Sequence, residues 1–316
     1  MAPSSIKPFQ NSTVTRFPID NLAEHTLDNA FNALTIALLH FRSPPTLSTL
    51  KGKVPKRIVT IQHTSLSNVL SQPRGNEVKG LIGVLGGMGP AATADLFNKF
   101  ITFSNARSDQ QHIPLLISSI PDIPDRTAAL MQSGRSPLPE MCDYLQRLEQ
   151  AGAECIVIPC NTAHFWFKEL RQSCHVELLN IVEATMEEVC ASGQQKIGLL
   201  ATDATLYMGL YQQAIEARGL CCIRPDKPGQ EQVMASIYAL KAGDAARARA
   251  MMEQQAAALF ARGAQLIVLG CTEVPVILAE AMKAQPSRYI ESTGALVRAG
   301  IRWYEQRVGS DRLLTQ

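Results

Sequence analysis

From residue 80 onward, short apolar runs alternate with longer stretches whose apolar positions recur at helical spacing. Residues 81–85 form an apolar run that stops at Gly86-Gly87-Met88-Gly89-Pro90, and residues 91–103 follow with a helical pattern. The alternation continues with a strand over 115–119, a helix over 139–151, and a buried strand over 155–159 that feeds a helix starting near Thr162. A second series repeats the plan: a strand over 196–201, a polar turn at 202–205, a helix over 206–218 and a short strand near Cys222. Two helices then fill 230–262, broken around Gly243-Asp244, before a strand over 265–269. Repeated strand-then-helix units predict parallel sheets covered on both faces.

The two series match in detail. Gly152-Ala-Glu-Cys-Ile-Val-Ile-Pro-Cys160 and Gly263-Ala-Gln-Leu-Ile-Val-Leu-Gly-Cys271 are each an apolar run ending in a cysteine. The run from Gly83 to Cys160 is 77 positions and that from Gly198 to Cys271 is 73. The expectation is an α/β fold of two similar lobes, each a mostly parallel sheet flanked by helices, related by a pseudo-twofold with the site in the cleft between them. Both cysteines fall at the carboxyl ends of strands, where open α/β sheets place their ligands. The predicted division is an N-terminal extension (1–79), a first lobe (80–182 plus 290–316) and a second lobe (183–289).

The extension reads differently from the rest. It is rich in Ser and Thr, is interrupted by Pro44-Pro45, Pro55 and Pro73, and carries nine Lys/Arg against four Asp/Glu; only residues 29–41 have a helical pattern. Its basic, hydroxyl-rich character invites comparison with a transit peptide, but its length and late apolar stretch fit poorly. A poorly ordered accessory segment is the favoured reading.

Composition narrows the chemistry. With 316 residues and a hydrophobic share of 46%, the chain can fill a sizeable core. A formal charge of +2 gives no electrostatic case for nucleic acid, and no apolar run is long enough for a transmembrane helix. Eight scattered cysteines without a C-x-x-C pair fit a reducing cytosol and no structural metal. The glycine loop lacks both the dinucleotide and the phosphate-loop spacing, and is read either as a tight turn or as a carboxylate contact through the backbone of Gly87, Met88 and Gly89.

Free cysteines usually pack as small hydrophobes, which is the reading for Cys142, Cys155, Cys174, Cys190, Cys221 and Cys222. Cys160 and Cys271 differ, because each ends a strand where a helix is expected to begin, a place that lowers a thiol's pKa. Two such thiols facing one carbon can remove a proton from one face and return one to the other. Asn161, Thr162 and Thr272 supply hydrogen-bond donors beside them. His164 is placed either to face the thiol or to pack between lobes, and Glu273 sits where a helix dipole favours any carboxylate.

Four motifs in order, Gly83-Val-Leu-Gly-Gly-Met-Gly-Pro90, Ile123-Pro-Asp-Arg126, Pro159-Cys-Asn-Thr-Ala-His164 and Gly270-Cys-Thr-Glu273, closely resemble the aspartate/glutamate racemase family. The resemblance runs from about Lys79 to the C-terminus. Cell-wall glutamate racemases carry Asp-Ser in the glycine loop and Gly-Cys-Thr-His at the second cysteine, so both departures point to the aspartate racemase branch. The resemblance implies a cofactor-independent, homodimeric enzyme acting on a small amino acid, with Cys160 and Cys271 as acid/base groups, and the free cysteines fit a cytoplasmic location. It further implies that Arg126 and Lys241 grip the substrate carboxylates, Lys241 being otherwise a solvated helix-end residue. Hydantoin racemase, maleate isomerase and a non-catalytic amino-acid-binding protein are the alternatives.

Overall fold

A computed structural model describes residues 80–314, with side chains to residue 309. The extension over 1–79, including the helical pattern at 29–41, lies outside the described residues. The first half runs β1 (Ile82–Gly86), α1 (Pro90–Phe103), β2 (Leu115–Ser119), α2 (Arg126–Met131), α3 (Leu138–Gln150), β3 (Cys155–Val157), a 3-10 turn (Thr162–Trp166), α4 (Phe167–Gln172), β4 (Glu177–Leu178) and α5 (Ile181–Ala191). The second half runs β5 (Lys196–Ala201), α6 (Asp203–Tyr207), α7 (Leu210–Glu216), β6 (Cys221–Ile223), α8 (Lys227–Lys241), α9 (Ala245–Ala261), β7 (Leu266–Gly270), α10 (Val274–Ile277), α11 (Ala279–Ala284), β8 (Tyr289–Glu291) and α12 (Ser292–Leu314).

Two parallel four-stranded sheets result, ordered β2-β1-β3-β4 and β6-β5-β7-β8. The second therefore repeats the first, strand for strand. Strands β1 and β7 are buried along their whole length, as expected of parallel strands covered on both faces.

The sequence repeat has a local cause. α3 and α9 each end in a glycine of positive φ, Gly152 at 97° and Gly263 at 94°. The next residue then donates back into the helix, Ala153 to the Leu148 carbonyl and Ala264 to that of Leu259, both at 3.1 Å. Each alanine then lies against a strand glycine. A Cβ on Gly83 would stand 3.0 Å from Ala153 Cβ, and one on Gly198 would stand 3.2 Å from Ala264 Cβ. Helix exit and strand approach are thus set alike in both lobes, delivering Cys160 and Cys271 to equivalent strand ends.

Three apolar cores follow. The outer face of the first sheet packs under α3 and α4 through Leu145, Leu148, Ile156 and Leu170. That of the second packs under α8 and α9 through Val233, Ile237, Met252 and Ile267. The third is shared: Ile82, Val84 and Phe100 from the first lobe join Ile197, Leu199 and Val268 from the second, with Met186 of α5 and Leu296 of α12 between them. The terminal helices cross over, since α5 follows the first sheet but packs on α7, while α12 follows the second sheet but packs on α1; the two helices also pack on each other.

Some expected boundaries move. The helix predicted over 206–218 is split by Gly209, which adopts φ 68° between α6 and α7. The lobe divisions expected at 182/183 and 289/290 fall inside α5 and inside β8, which is hydrogen-bonded to β7. No helix among the described residues is long and apolar enough to cross a membrane.

Because the shared core holds both sheets, truncating it should destabilise them together. Leu296→Ala is expected to cost about 2–5 kcal/mol, the range for removing a buried leucine side chain. Urea unfolding followed by fluorescence and by circular dichroism should give one coincident transition at a lower midpoint. Two separated transitions would show that the lobes unfold independently.

Candidate active site

The carboxyl ends of β3 and β7 meet across the lobe boundary. Cys160, Asn161 and Thr162 from the first lobe and Cys271, Thr272 and Glu273 from the second line one small cavity of about 30 Å³, together with Met88, Arg126, Thr202 and Lys241. Both thiols are buried. A larger pocket of about 430 Å³ adjoins it, lined by Gly87, Gly89 and Leu240 among others, and Asp125, Arg126, Lys241 and Glu273 line both spaces.

Glu273 engages Cys271 directly. The thiol donates to Oε2 at 3.0 Å, the Thr272 hydroxyl donates to the same oxygen at 3.3 Å, and Oε1 lies 3.7 Å from Lys241 Nζ. Burial, followed by the neighbouring carboxylate, pushes the Cys271 thiol well above its ordinary pKa. This reverses the sequence expectation of a thiol lowered by a helix end. The reason is geometric: α10 begins three residues later and is only four residues long, so it supplies little dipole. After Cys160 the expected helix is likewise a short 3-10 turn.

Arg126 is a buried cation. Nη1 donates to the carbonyls of Ile123 (3.0 Å) and Pro124 (2.8 Å), Nη2 to that of Met88 (3.2 Å), and Nε is buried without a partner among the described residues. Carbonyl dipoles hold the guanidinium in place, and among the described residues no carboxylate is ion-paired with it, so an anion entering the cavity is favoured. Lys241 is half exposed at the last turn of α8 and adds a second positive charge.

The glycine loop forms a tight turn. Gly87, at φ 90°, donates its N–H to the Thr93 hydroxyl at 2.9 Å, and a Cβ there would lie 2.2 Å from the Ile120 backbone nitrogen. That N–H is therefore not free to hold a carboxylate as the sequence suggested. The loop instead contributes the Met88 carbonyl to Arg126 and brings Gly89 beside Glu273.

Asn161 and Thr162 point across the lobe boundary. Asn161 Nδ2 donates to Ser292 Oγ at 2.9 Å, and its Oδ1 accepts from the Tyr211 hydroxyl at 2.6 Å. The Thr162 hydroxyl shares hydrogen bonds of 3.1 Å with those of Thr202 and Thr205. Tyr211 also touches the other thiol's turn, because its ring would stand 3.1 Å from a Cβ on Gly270. Periodicity alone does not single out Tyr211 or Ser292; both enter the site only through tertiary packing.

His164 is locked in place. Nδ1 lies 2.9 Å from the Cys160 carbonyl and Nε2 accepts from the Ile181 N–H at 3.1 Å, so the neutral ring donates with one nitrogen and accepts with the other. Burial lowers its pKa to about 4. It braces the Cys160 turn against the start of α5 and stays uncharged near neutrality. Among the described residues, no group of three or more His, Cys, Asp or Glu side chains is placed to hold a metal ion.

The family model described as Asp/Glu/Hydantoin racemase matches residues 85–300. Among solved structures the chain is similar to the aspartate racemase of Picrophilus torridus, with a TM-score of 0.66 and 32% identity over 71% of this chain and 94% of that one. It is also similar to the broad specificity amino-acid racemase RacX of Bacillus subtilis, at 26% identity over 71% of this chain and 98% of RacX. The glutamate racemase of Deinococcus radiodurans is 27% identical over 62% and 68% of the two chains.

Two outcomes follow from the local electrostatics. Unfolded His164 binds a proton below about pH 6.5 while the folded form stays neutral to about 4, so this group's stabilisation is complete above 6.5 and lost as pH falls toward 4. At about 1.4 kcal/mol per pH unit the loss is about 3 kcal/mol. His164→Gln, which keeps a neutral donor and acceptor, should flatten the stability curve over that window in urea titrations; an unchanged slope would contradict the assignment. Separately, Glu273→Gln removes the negative charge beside Cys271, so the pH at which iodoacetamide half-maximally alkylates Cys271 should fall.

Proposed function

The chain belongs to the Asp/Glu/hydantoin racemase family and is an amino-acid racemase, and we propose that it interconverts L- and D-aspartate with Cys160 and Cys271 acting on opposite faces of the α-carbon. The observation that carries this reading is the small cavity bordered by both thiols and by the buried Arg126, whose Nε has no hydrogen-bond partner among the described residues. A dicarboxylic amino acid supplies the anions that Arg126 and Lys241 favour, and Arg grips a carboxylate with two parallel hydrogen bonds.

In this reading the substrate enters through the outer pocket and displaces the contact between Lys241 and Glu273. One cysteine, as thiolate, takes the α-proton, and the electron pair left on carbon spreads into the α-carboxylate, where the two cations stabilise it. The opposite thiol then gives its proton to the other face. The two thiols supply both proton transfers, so no cofactor enters the reaction. Asn161, Thr162 and His164 hold the Cys160 turn in register, and Thr272 holds Glu273. The enzyme works as a homodimer, as the family resemblance implies, and its eight scattered cysteines fit a reducing cytosol.

Incubation of the full-length protein with L-aspartate in deuterium oxide is expected to yield D-aspartate deuterated at Cα. Cys160→Ala and Cys271→Ala should each lower racemisation at least about 10²-fold, the scale of acid–base catalysis, and Arg126→Ala should raise KM. Turnover of glutamate, a hydantoin or maleate in place of aspartate would reassign the substrate. Ligand binding that persists with no exchange in the wild type would identify a binding protein.

A further inference from the structure

α1 turns an uncharged face to the outside. From Ala91 to Thr102 every exposed position of this helix is neutral, with Ala94, Asn98 and Thr102 running beside Phe97 and Ile101. Phe97 and Ile101, one turn apart, are each 44% exposed. The two charges that the helix carries are turned inward, where Lys99 pairs with Asp95 and reaches Glu291 Oε2 at 2.6 Å. Elsewhere among the described residues, large exposed apolar side chains come one to an element, such as Met131 on α2 and Tyr207 on α6.

The neutral face continues onto β2. This strand is the edge of its sheet, contains no charge and has no buried residue. Its Leu115 shares a pocket of about 390 Å³ with Phe97, Phe100, Ile101 and Ile113, and Asp109 and His112 complete the lining. Ile117, two residues further along the strand, points to the same side and is 36% exposed. The matching edge of the second sheet is built differently. Lys196, Arg224 and Arg262 line the groove along β6, together with Cys221 and Cys222. Positive charges on a strand edge repel a second copy of the same edge, which is how sheets ordinarily avoid pairing with one another. One edge of the molecule is guarded in this way and its counterpart is not.

We propose that the outer face of α1 and the adjoining flank of β2 form the contact with a second copy of this chain, with the two α1 helices packed across a twofold axis. The inference takes up the homodimer of the reading above and gives it a surface, and it rests on that reading only for the number of copies. Charge selects this occupant. Near a twofold axis each residue meets its own counterpart, so a charged face repels itself and a neutral one does not. A different protein is ordinarily selected by complementary charge, and this face offers none. Ala94 lets the two helices approach closely, and Phe97 and Ile101 of each copy supply the apolar surface that fills the pocket beside α1 of the other. A contiguous apolar patch of this kind marks an interaction surface, whereas the single exposed side chains elsewhere do not.

Sedimentation equilibrium of the full-length protein reads mass and not turnover. Wild-type protein should be a dimer at micromolar concentration, and Ile101→Glu should raise its dissociation constant at least about 100-fold, because like charges then face each other across the axis. Tyr207→Glu puts the same charge on an exposed aromatic position of α6, outside the face, and should leave the constant unchanged. Circular dichroism establishes that each variant is folded. If Ile101→Glu is not, Asn98→Lys decides in its place, since that position is already polar and exposed. Wild-type protein that sediments as a monomer overturns the proposal and the homodimer with it. A dimer that survives the folded α1 variant overturns the proposal alone, as does one that Tyr207→Glu weakens equally. None of these outcomes bears on racemisation, which the deuterium exchange tests separately.

Discussion

Everything in the site depends on one apolar core that neither lobe owns. α5 leaves the first sheet and packs on α7 of the second half, and α12 leaves the second sheet and packs on α1 of the first. Met186 and Leu296, carried by these helices, lie in the same cluster as strand residues of both sheets. Burying that surface is favourable only if the sheets face each other, and in that arrangement the carboxyl ends of β3 and β7 converge. The thiols meet because the hydrophobic effect acting behind them leaves the sheets no other way to shield their inner faces.

The backbone repeat is close, while the side chains around the two cysteines have diverged. Gly152 with Ala153 and Gly263 with Ala264 make the same helix exit, yet Asn161 ties its turn to Tyr211 and Ser292 where Thr272 instead donates to Glu273. One turn is held by neutral hydrogen bonds across the lobe boundary and the other by a charged group beside the outer pocket. A symmetric scaffold therefore carries two chemically unequal ends. A reaction that is symmetric overall, interconverting mirror images, does not require the two ends to be alike.

Much of this was legible in the chain. The alternation of strand and helix, the break at Gly243-Asp244 and the matched cysteine contexts come from local periodicity and turn chemistry, which the tertiary structure leaves intact. What escaped depends on distance in space. The rise in the Cys271 pKa comes from burial and from the rotamer that brings Glu273 to it, whereas sequence spacing suggested only a helix end. The neutral state of His164 comes from burial and its fixed orientation from Ile181, seventeen positions away, and the Gly87 N–H is taken by Thr93 one turn into α1. The crossing helices pack against both halves, a contact that no boundary drawn along the chain expresses.

Tyr211 illustrates what this costs in independence. Its hydroxyl reaches the residue after Cys160 and its ring rests on the residue before Cys271, so a single buried side chain touches both thiol-bearing turns. A displacement of either turn is passed through a rigid aromatic ring to the other. The two halves share one mechanical gauge, and the gap between the thiols is a property of the whole molecule that neither repeat could change alone.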